Sequence, residues 1–198
     1  MLFAQITDLH VREPGTALSG RVDTAGFLER AVARVNALSP RPDFLLITGD
    51  LIDGGSEAEY RHLQRLLEPL EVPSYLVLGN HDGREAFRAC FPDLGYWRPD
   101  QKFVQYALDF GALRLLVLDT HDPGKSSGAL CADRLDWLAD RLAEDRDTPT
   151  VVVMHHPPVA VGLPGMDRLR LLEGAERLAE VVRAAPNVER ILAGHLHR

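Results

Sequence analysis

Three observations predict a single α/β domain in which parallel βαβ units feed a two-sheet core with helices outside. Apolar runs of strand length alternate with stretches of helical period. Five of those runs end in a short cluster of Asp, Asn or His, the placement expected of loops along one edge of a sheet. The chain has 198 residues, 45% of them apolar, which suits one domain (1–198) with a substantial core.

The elements follow in order. Residues 2–7 read as a buried strand. After a polar loop, Asp23 can cap a helix through about Leu38, with Phe27, Leu28, Ala31, Val35 and Leu38 on its buried side, and Ser39-Pro40-Arg41-Pro42 stops it. A strand over 44–48 leads to Ser56 and Glu59, a capping box for a helix carrying Tyr60, Leu63, Leu66, Leu67 and Leu70. A strand over 75–78 and a short helix over 84–91 come next. Residues 103–108 and 113–118 flank Asp109-Phe110-Gly111-Ala112, a hairpin that breaks the βα alternation. The Gly-, Ser- and Pro-rich loop 121–128 is a candidate pocket rim and precedes a helix with Leu135, Trp137, Leu138 and Leu142. A strand over 151–154, Pro157-Pro158 with a long loop, a helix near 173–185 and a strand over 191–193 complete the chain.

The formal charge of −7, from 29 acidic and 22 basic residues, gives no broad basic field. Long nucleic acids and anionic membrane surfaces are therefore not expected partners. No apolar run approaches the roughly 20 residues of a membrane span. Residues 1–7 lack a basic start and run directly into Asp8, so no leader is expected, and Cys90 and Cys131 are read as reduced thiols in a cytoplasmic protein.

The chemistry lies in the clusters at the strand ends. In extended chain Asp8 and His10 point to the same side and can reach one cation, as can His195 and His197 after Gly194. Alone, either pair is equally well read as solvated loop residues. Asp50, after Gly49, could merely cap a turn, but a carboxylate can also bridge two cations about 3.5 to 4 Å apart. Asn80 offers a neutral amide oxygen. His81 beside it is better placed behind the metals, for phosphate binding and leaving-group protonation, its bland alternative being a structural histidine held by Asp82. Of His155 and His156 only one faces the site if the backbone is extended, and the residues do not choose between them. No Gly-x-Ser-x-Gly elbow, Walker loop, His-Glu-x-x-His helix or thiol motif competes, and the Asp-x-Asp of an aspartyl-phosphate enzyme is here Asp8-Leu9-His10.

The ordered blocks Asp8-x-His10, Gly49-Asp50, Gly79-Asn80-His81-Asp82, His156 and Gly194-His195-x-His197 resemble the calcineurin-like metallophosphoesterases over the whole chain. Gly20-Arg21-Val22-Asp23-Thr24 and Met154-His155-His156-Pro157-Pro158 further resemble the bacterial class III cyclic-nucleotide phosphodiesterases and the glycerophosphodiesterases. The resemblance implies a four-layered α/β/β/α sandwich. It implies a dinuclear site, with Asp8, His10 and His197 on one metal, Asn80, His156 and His195 on the other, and Asp50 bridging. It chooses His156 over His155, and it makes His81 the histidine beside the phosphate.

The metals it implies are two from Fe, Mn, Zn or Co, and the reaction is in-line attack by a hydroxide held at the metals on a small phosphodiester, a cyclic nucleotide or a glycerophosphodiester. Members of that family continue past the Gly-His-x-His block with further strands that often build a dimer. The resemblance thus implies a version without its C-terminal strands, its sheet edge exposed, and leaves a homo-oligomer open. A phosphomonoesterase could use the same centre. A noncatalytic scaffold is the alternative from another class, and intact Asp50, Asn80 and His81 stand against it.

Overall fold

A computed structural model describes residues 1–197. In chain order the elements are β1 (Phe3–Ile6), α1 (Thr24–Asn36), β2 (Phe44–Thr48), α2 (Glu57–Leu67), β3 (Ser74–Val77), α3 (Arg84–Cys90), β4 (Tyr106–Asp109) and β5 (Arg114–Val117). There follow β6 (Gly128–Ala129), α4 (Ala132–Glu144), β7 (Thr150–Val153), α5 (Pro164–Asp167), β8 (Leu171–Glu173), α6 (Ala175–Arg183) and β9 (Val188–Leu192).

One sheet has the order β1-β2-β3, all parallel; the other has β4-β5-β7-β9, with β4 antiparallel to β5 and the remainder parallel. The alternation of side chains along a strand explains how they stack. Leu115, Val117, Val151 and Val153 point into the cluster that also contains Phe44, Leu45, Leu46 and Ile47 of the first sheet and Leu28, Val32, Tyr60 and Leu63 of α1 and α2. Their neighbours Leu116, Leu118, Val152 and Met154 point the other way, onto Leu135, Leu138 and Leu142 of α4 and Leu178 of α6. Helices, sheet, sheet and helices therefore form the four layers expected, and strands β2, β5 and β7, buried throughout, read as continuous apolar runs for that reason.

The caps fall where the sequence puts them. Asp23 accepts the Gly26 N–H at 2.9 Å, and Ser56 with Glu59 closes a full capping box on α2. The buried face of α1, by contrast, is Thr24, Leu28, Val32 and Val35, the i, i+4 stripe, and Phe27 stands 60% exposed with the Arg30 guanidinium over its ring. The helix expected near 173–185 is shorter: β8 takes residues 171–173 and α6 begins at Ala175. The two-stranded β6-β8 ribbon and the single turn of α5 are too short to leave a period in the sequence. Among the described residues no helix is long and apolar enough to cross a membrane.

Candidate metal centre

The five clusters meet where the two sheets come together at the ends of their parallel strands. Hydrogen bonds from Asp8 N–H to Gly49 O (3.0 Å) and from His10 N–H to Asp50 O (2.9 Å) carry the β1–β2 pairing into the loops beyond, so these two clusters lie side by side. On the other sheet Gly194 N–H donates to His155 O at 2.9 Å, which sets the last cluster beside the His155-His156 pair. A Cβ on Gly194 would stand 2.1 Å from Thr7 Oγ1, and one on Gly49 would stand 2.3 Å from His155 Nδ1. Only glycine lets the chains approach so closely.

The local backbone differs from the extended chain expected. Asp8, His10, Asp50, His195 and His197 all have positive φ, between 44° and 72°, and among the described residues the only other non-glycine residue there is Ser19. Each such residue costs roughly 1 to 2 kcal/mol. The expectation that Asp8 and His10 share a side as i and i+2 of a strand is thus corrected: successive left-handed turns, not pleating, bring them together.

Three groups of side chains result, of which the third is His10, Asp53 and His81. Asp8, His10, Asp50 and His197 offer ligand atoms within 4.8 Å of one another, and His155, His156 and His195 do the same. In the first, His10 Nε2 and His197 Nε2 face each other at 3.2 Å, and His197 Nε2 lies 3.2 Å from Asp8 Oδ1. In the second, His155 Nε2 lies 3.2 Å from His195 Nδ1. One oxygen joins them: Asp50 Oδ2 is 3.7 Å from His10 Nε2 and 3.4 Å from His155 Nε2. Metal–ligand bonds of about 2.0 to 2.2 Å set ligand atoms roughly 3.0 to 3.6 Å apart, so these separations are those of donors around a common cation.

Supporting contacts orient the donors. Thr7 Oγ1 and the His195 N–H donate to Asp8 Oδ2 at 2.6 and 2.9 Å, and the His81 N–H donates to Asp50 Oδ1 at 2.9 Å. His155 Nδ1 donates to Thr48 O at 2.8 Å. Asn80 follows Gly79, where a Cβ would stand 2.2 Å from Asp50 Oδ1, and its own Oδ1 is buried without a hydrogen-bond partner. His156 Nε2 and His195 Nε2 are likewise buried and unpartnered. Unmet polar atoms in such a place are what a cation would satisfy.

Electrostatics follow from this crowding. Burial alone would raise the Asp50 carboxyl, but the hydrogen bond and charge of His155 and the His81 amide hold it well below the carboxylate range. Burial, with His155 next, lowers His195 to about 4, and burial also lowers His10 and His156, so these imidazoles are kept neutral. His81 is more exposed: its Nδ1 donates to Asp53 O at 2.9 Å and lies 3.4 Å from Asp53 Oδ1, leaving Nε2 free.

The structure thus brings Asp8, His10, Asp50, His195 and His197 together, with Asn80 and His81 on the adjoining turn. His155 and His156 both stand with His195: His155 Nε2 lies 3.4 Å from Asp50 Oδ2, while His156, the histidine the resemblance chose, turns Nδ1 to Thr120 Oγ1 at 2.8 Å and keeps Nε2 buried and unpartnered. Sequence reasoning also missed Asp53, whose Oδ1 lies 3.3 Å from His10 Nδ1 as well as near His81. Its place three residues after Asp50, in the same loop, was the available clue.

The chain matches the Calcineurin-like phosphoesterase family over residues 1–198 and belongs to it. The expected class, a metal-dependent phosphoric ester hydrolase, is therefore the one found, and its His and Asp groups can hold metal ions. The chain is 32% identical over 198 residues to a probable glycerophosphodiester phosphodiesterase, GpdQ, of Arcobacter nitrofigilis, covering 100% of this chain and 72% of that protein. It is 39% identical over 197 residues to a probable cyclic nucleotide phosphodiesterase of Synechococcus sp., covering 98% and 72%. Among solved structures, a purple acid phosphatase from yellow lupin superposes with a TM-score of 0.68 at 15% identity, covering 98% of this chain and 37% of that one, which shows a shared fold.

Proposed function

We propose that the chain is a two-metal phosphodiesterase acting on small diesters, cyclic nucleotides or glycerophosphodiesters. The observation that carries this reading is Asp50 Oδ2, one carboxylate oxygen facing an imidazole nitrogen of each donor group. Asp8, His10 and His197 would hold one metal, Asn80, His156 and His195 the other, and Asp50 both, and the buried, unpartnered Nε2 atoms of His156 and His195 support that assignment. His155, whose Nε2 lies 3.4 Å from Asp50 Oδ2, would brace the bridging carboxylate. Mixed nitrogen and oxygen donors suit Fe, Mn, Zn or Co. Two such ions would supply Lewis acidity toward phosphoryl oxygens and lower the pKa of water at the site.

The remaining residues set up the reaction. His81, its Nδ1 proton committed to Asp53 O, presents Nε2 to carry a proton for the departing ester oxygen. Asp53 braces both this ring and that of His10. Asp82 holds the Gly79–His81 turn by accepting the Gly79 N–H at 2.8 Å. The names of the relatives, glycerophosphodiester and cyclic nucleotide phosphodiesterases, support the choice of diester.

Chelator-stripped protein reloaded with Mn²⁺ should hydrolyse bis(p-nitrophenyl) phosphate faster than p-nitrophenyl phosphate. A preference for the monoester would make the chain a phosphomonoesterase on the same centre and refute the diester reading.

A further inference from the structure

β4 forms one edge of the second sheet. Side chains alternate along it: Tyr106 turns toward the first sheet, its hydroxyl donating to Leu76 O at 2.7 Å, so Gln105 and Ala107 turn the other way, toward α4. Between strand and helix lies a cleft of about 160 Å³, whose lining includes Gln105, Tyr96, Arg98, Gln101, Trp137 and Arg141. Gln101, Gln105 and Trp137 also line a second hollow of about 200 Å³, so the two share a wall. None of these residues belongs to the donor groups of the metal centre.

Two polar atoms here are buried and unanswered. Gln105 is 6% exposed, and its Oε1 has no hydrogen-bond partner. Arg141 Nε has none either, although the far end of that guanidinium pairs with Glu144. An unmet buried donor or acceptor costs roughly 1 to 3 kcal/mol, so two in one cleft point to an occupant. Water can satisfy either atom, but the walls favour something flat. Trp137 lies outside the buried stripe of α4, which is Arg134, Leu135, Leu138 and Leu142, and stands half-buried at the cleft wall. Tyr96 presents its ring there, because its hydroxyl already accepts the Leu76 N–H at 3.2 Å. Aromatic faces stack flat rings, at about 1 to 3 kcal/mol per base.

The occupant so defined is flat and carries both a donor for Gln105 Oε1 and an acceptor for Arg141 Nε. A nucleobase has these features, with donors and acceptors side by side on its edge. We propose that the cleft between β4 and α4 is a second binding site, which takes the base of a nucleoside, stacked on Trp137 with its edge held by the Gln105 amide and Arg141 Nε. Neither contact involves a candidate metal donor, so the site stands whether or not the two-metal reading does.

The chain carries its own reporter, because Trp97 is 3% exposed and Trp137, the other tryptophan, lines the cleft. The probes are adenosine, inosine, cytidine and uridine, which lack the phosphate a metal centre would bind. Each is titrated into the full chain loaded with Mn²⁺ and read by tryptophan fluorescence and by calorimetry, with Gln105→Leu, Arg141→Lys and Trp137→Phe beside the parent. At least one nucleoside should quench the parent saturably. Gln105→Leu should weaken its binding about tenfold, the scale of one lost hydrogen bond in a buried site, and Trp137→Phe should lose the quenching. If no nucleoside binds at millimolar concentration, the cleft holds water only and the proposal fails. Binding undiminished in Gln105→Leu, or quenching that survives in Trp137→Phe, would place the nucleoside elsewhere and overturn it equally. Should Gln105→Leu fail to fold, Arg141→Lys decides, because it keeps the charge and lacks the Nε donor: weakened binding there supports the proposal and unchanged affinity overturns it.

Discussion

Asp82 is 3% exposed and gathers four donors, the N–H groups of Gly79, Leu51 and Ile52 and the Tyr60 hydroxyl. Burial, then the charge of Asp50, raises its pKa to about 7 against the pull of those donors. Between about pH 4 and 7 the native state therefore keeps a proton that the unfolded chain has released, so its contribution to stability falls as pH rises. In chelated protein the Tm of the parent relative to Asp82→Asn should accordingly decline from pH 4 to pH 7, and a constant difference would contradict this account. His81→Ala should leave both metals bound and lower kcat by about 10² to 10⁴, the range for a lost acid or base; loss of metal in that variant would give His81 a different role. Most of the candidate donors were legible because each sits in a polar cluster that ends an apolar run. The residues alone did not separate His155 from His156, because the two follow the same strand and differ only in the distant partners their Nδ1 atoms find, Thr48 O and the Thr120 hydroxyl.

At the scale of elements, two of the strands that carry candidate donors, β2 and β7, are buried throughout, whereas β1 and β9 are only partly buried. The packing on the far side of the second sheet is separate from the site: Leu138 of α4, fully buried, touches the cluster of Leu116, Leu118, Val152 and Met154. Leu138→Ala should cost roughly 2 to 5 kcal/mol in a denaturant titration and leave Mn²⁺ affinity unchanged in the folded protein. A matching fall in affinity would show that the outer helix layer tunes the centre. The same burial made β2, β5 and β7 readable as apolar runs and the capping box of α2 readable from Ser56 and Glu59. Phe27 was misplaced because an aromatic residue near the helix start suits the buried pattern, whereas the stripe that faces the core runs through Thr24, Leu28, Val32 and Val35.

In the molecule as a whole, the candidate donors come from both sheets: Asp8, His10, Asp50 and Asn80 follow β1, β2 and β3, while His156, His195 and His197 follow β7 and β9. Metal binding would therefore tie one sheet to the other and offset the cost of the left-handed backbone at the donors. Ligand that binds only the folded state adds about 2.7 kcal/mol per site at a hundredfold excess over Kd, so Mn²⁺ should raise the Tm of chelated protein clearly, and an unchanged Tm would show that the donors do not bind as a unit. The central claim is that Asp50 joins two metal sites. Its most direct test is Mn²⁺ titration of the chelated parent and of Asp50→Asn, followed by calorimetry and electron paramagnetic resonance. This account predicts two ions in the parent with the spectrum of a coupled pair, and weakened binding of both in Asp50→Asn. A single ion in the parent, or two ions bound with undiminished affinity in the variant, would contradict it.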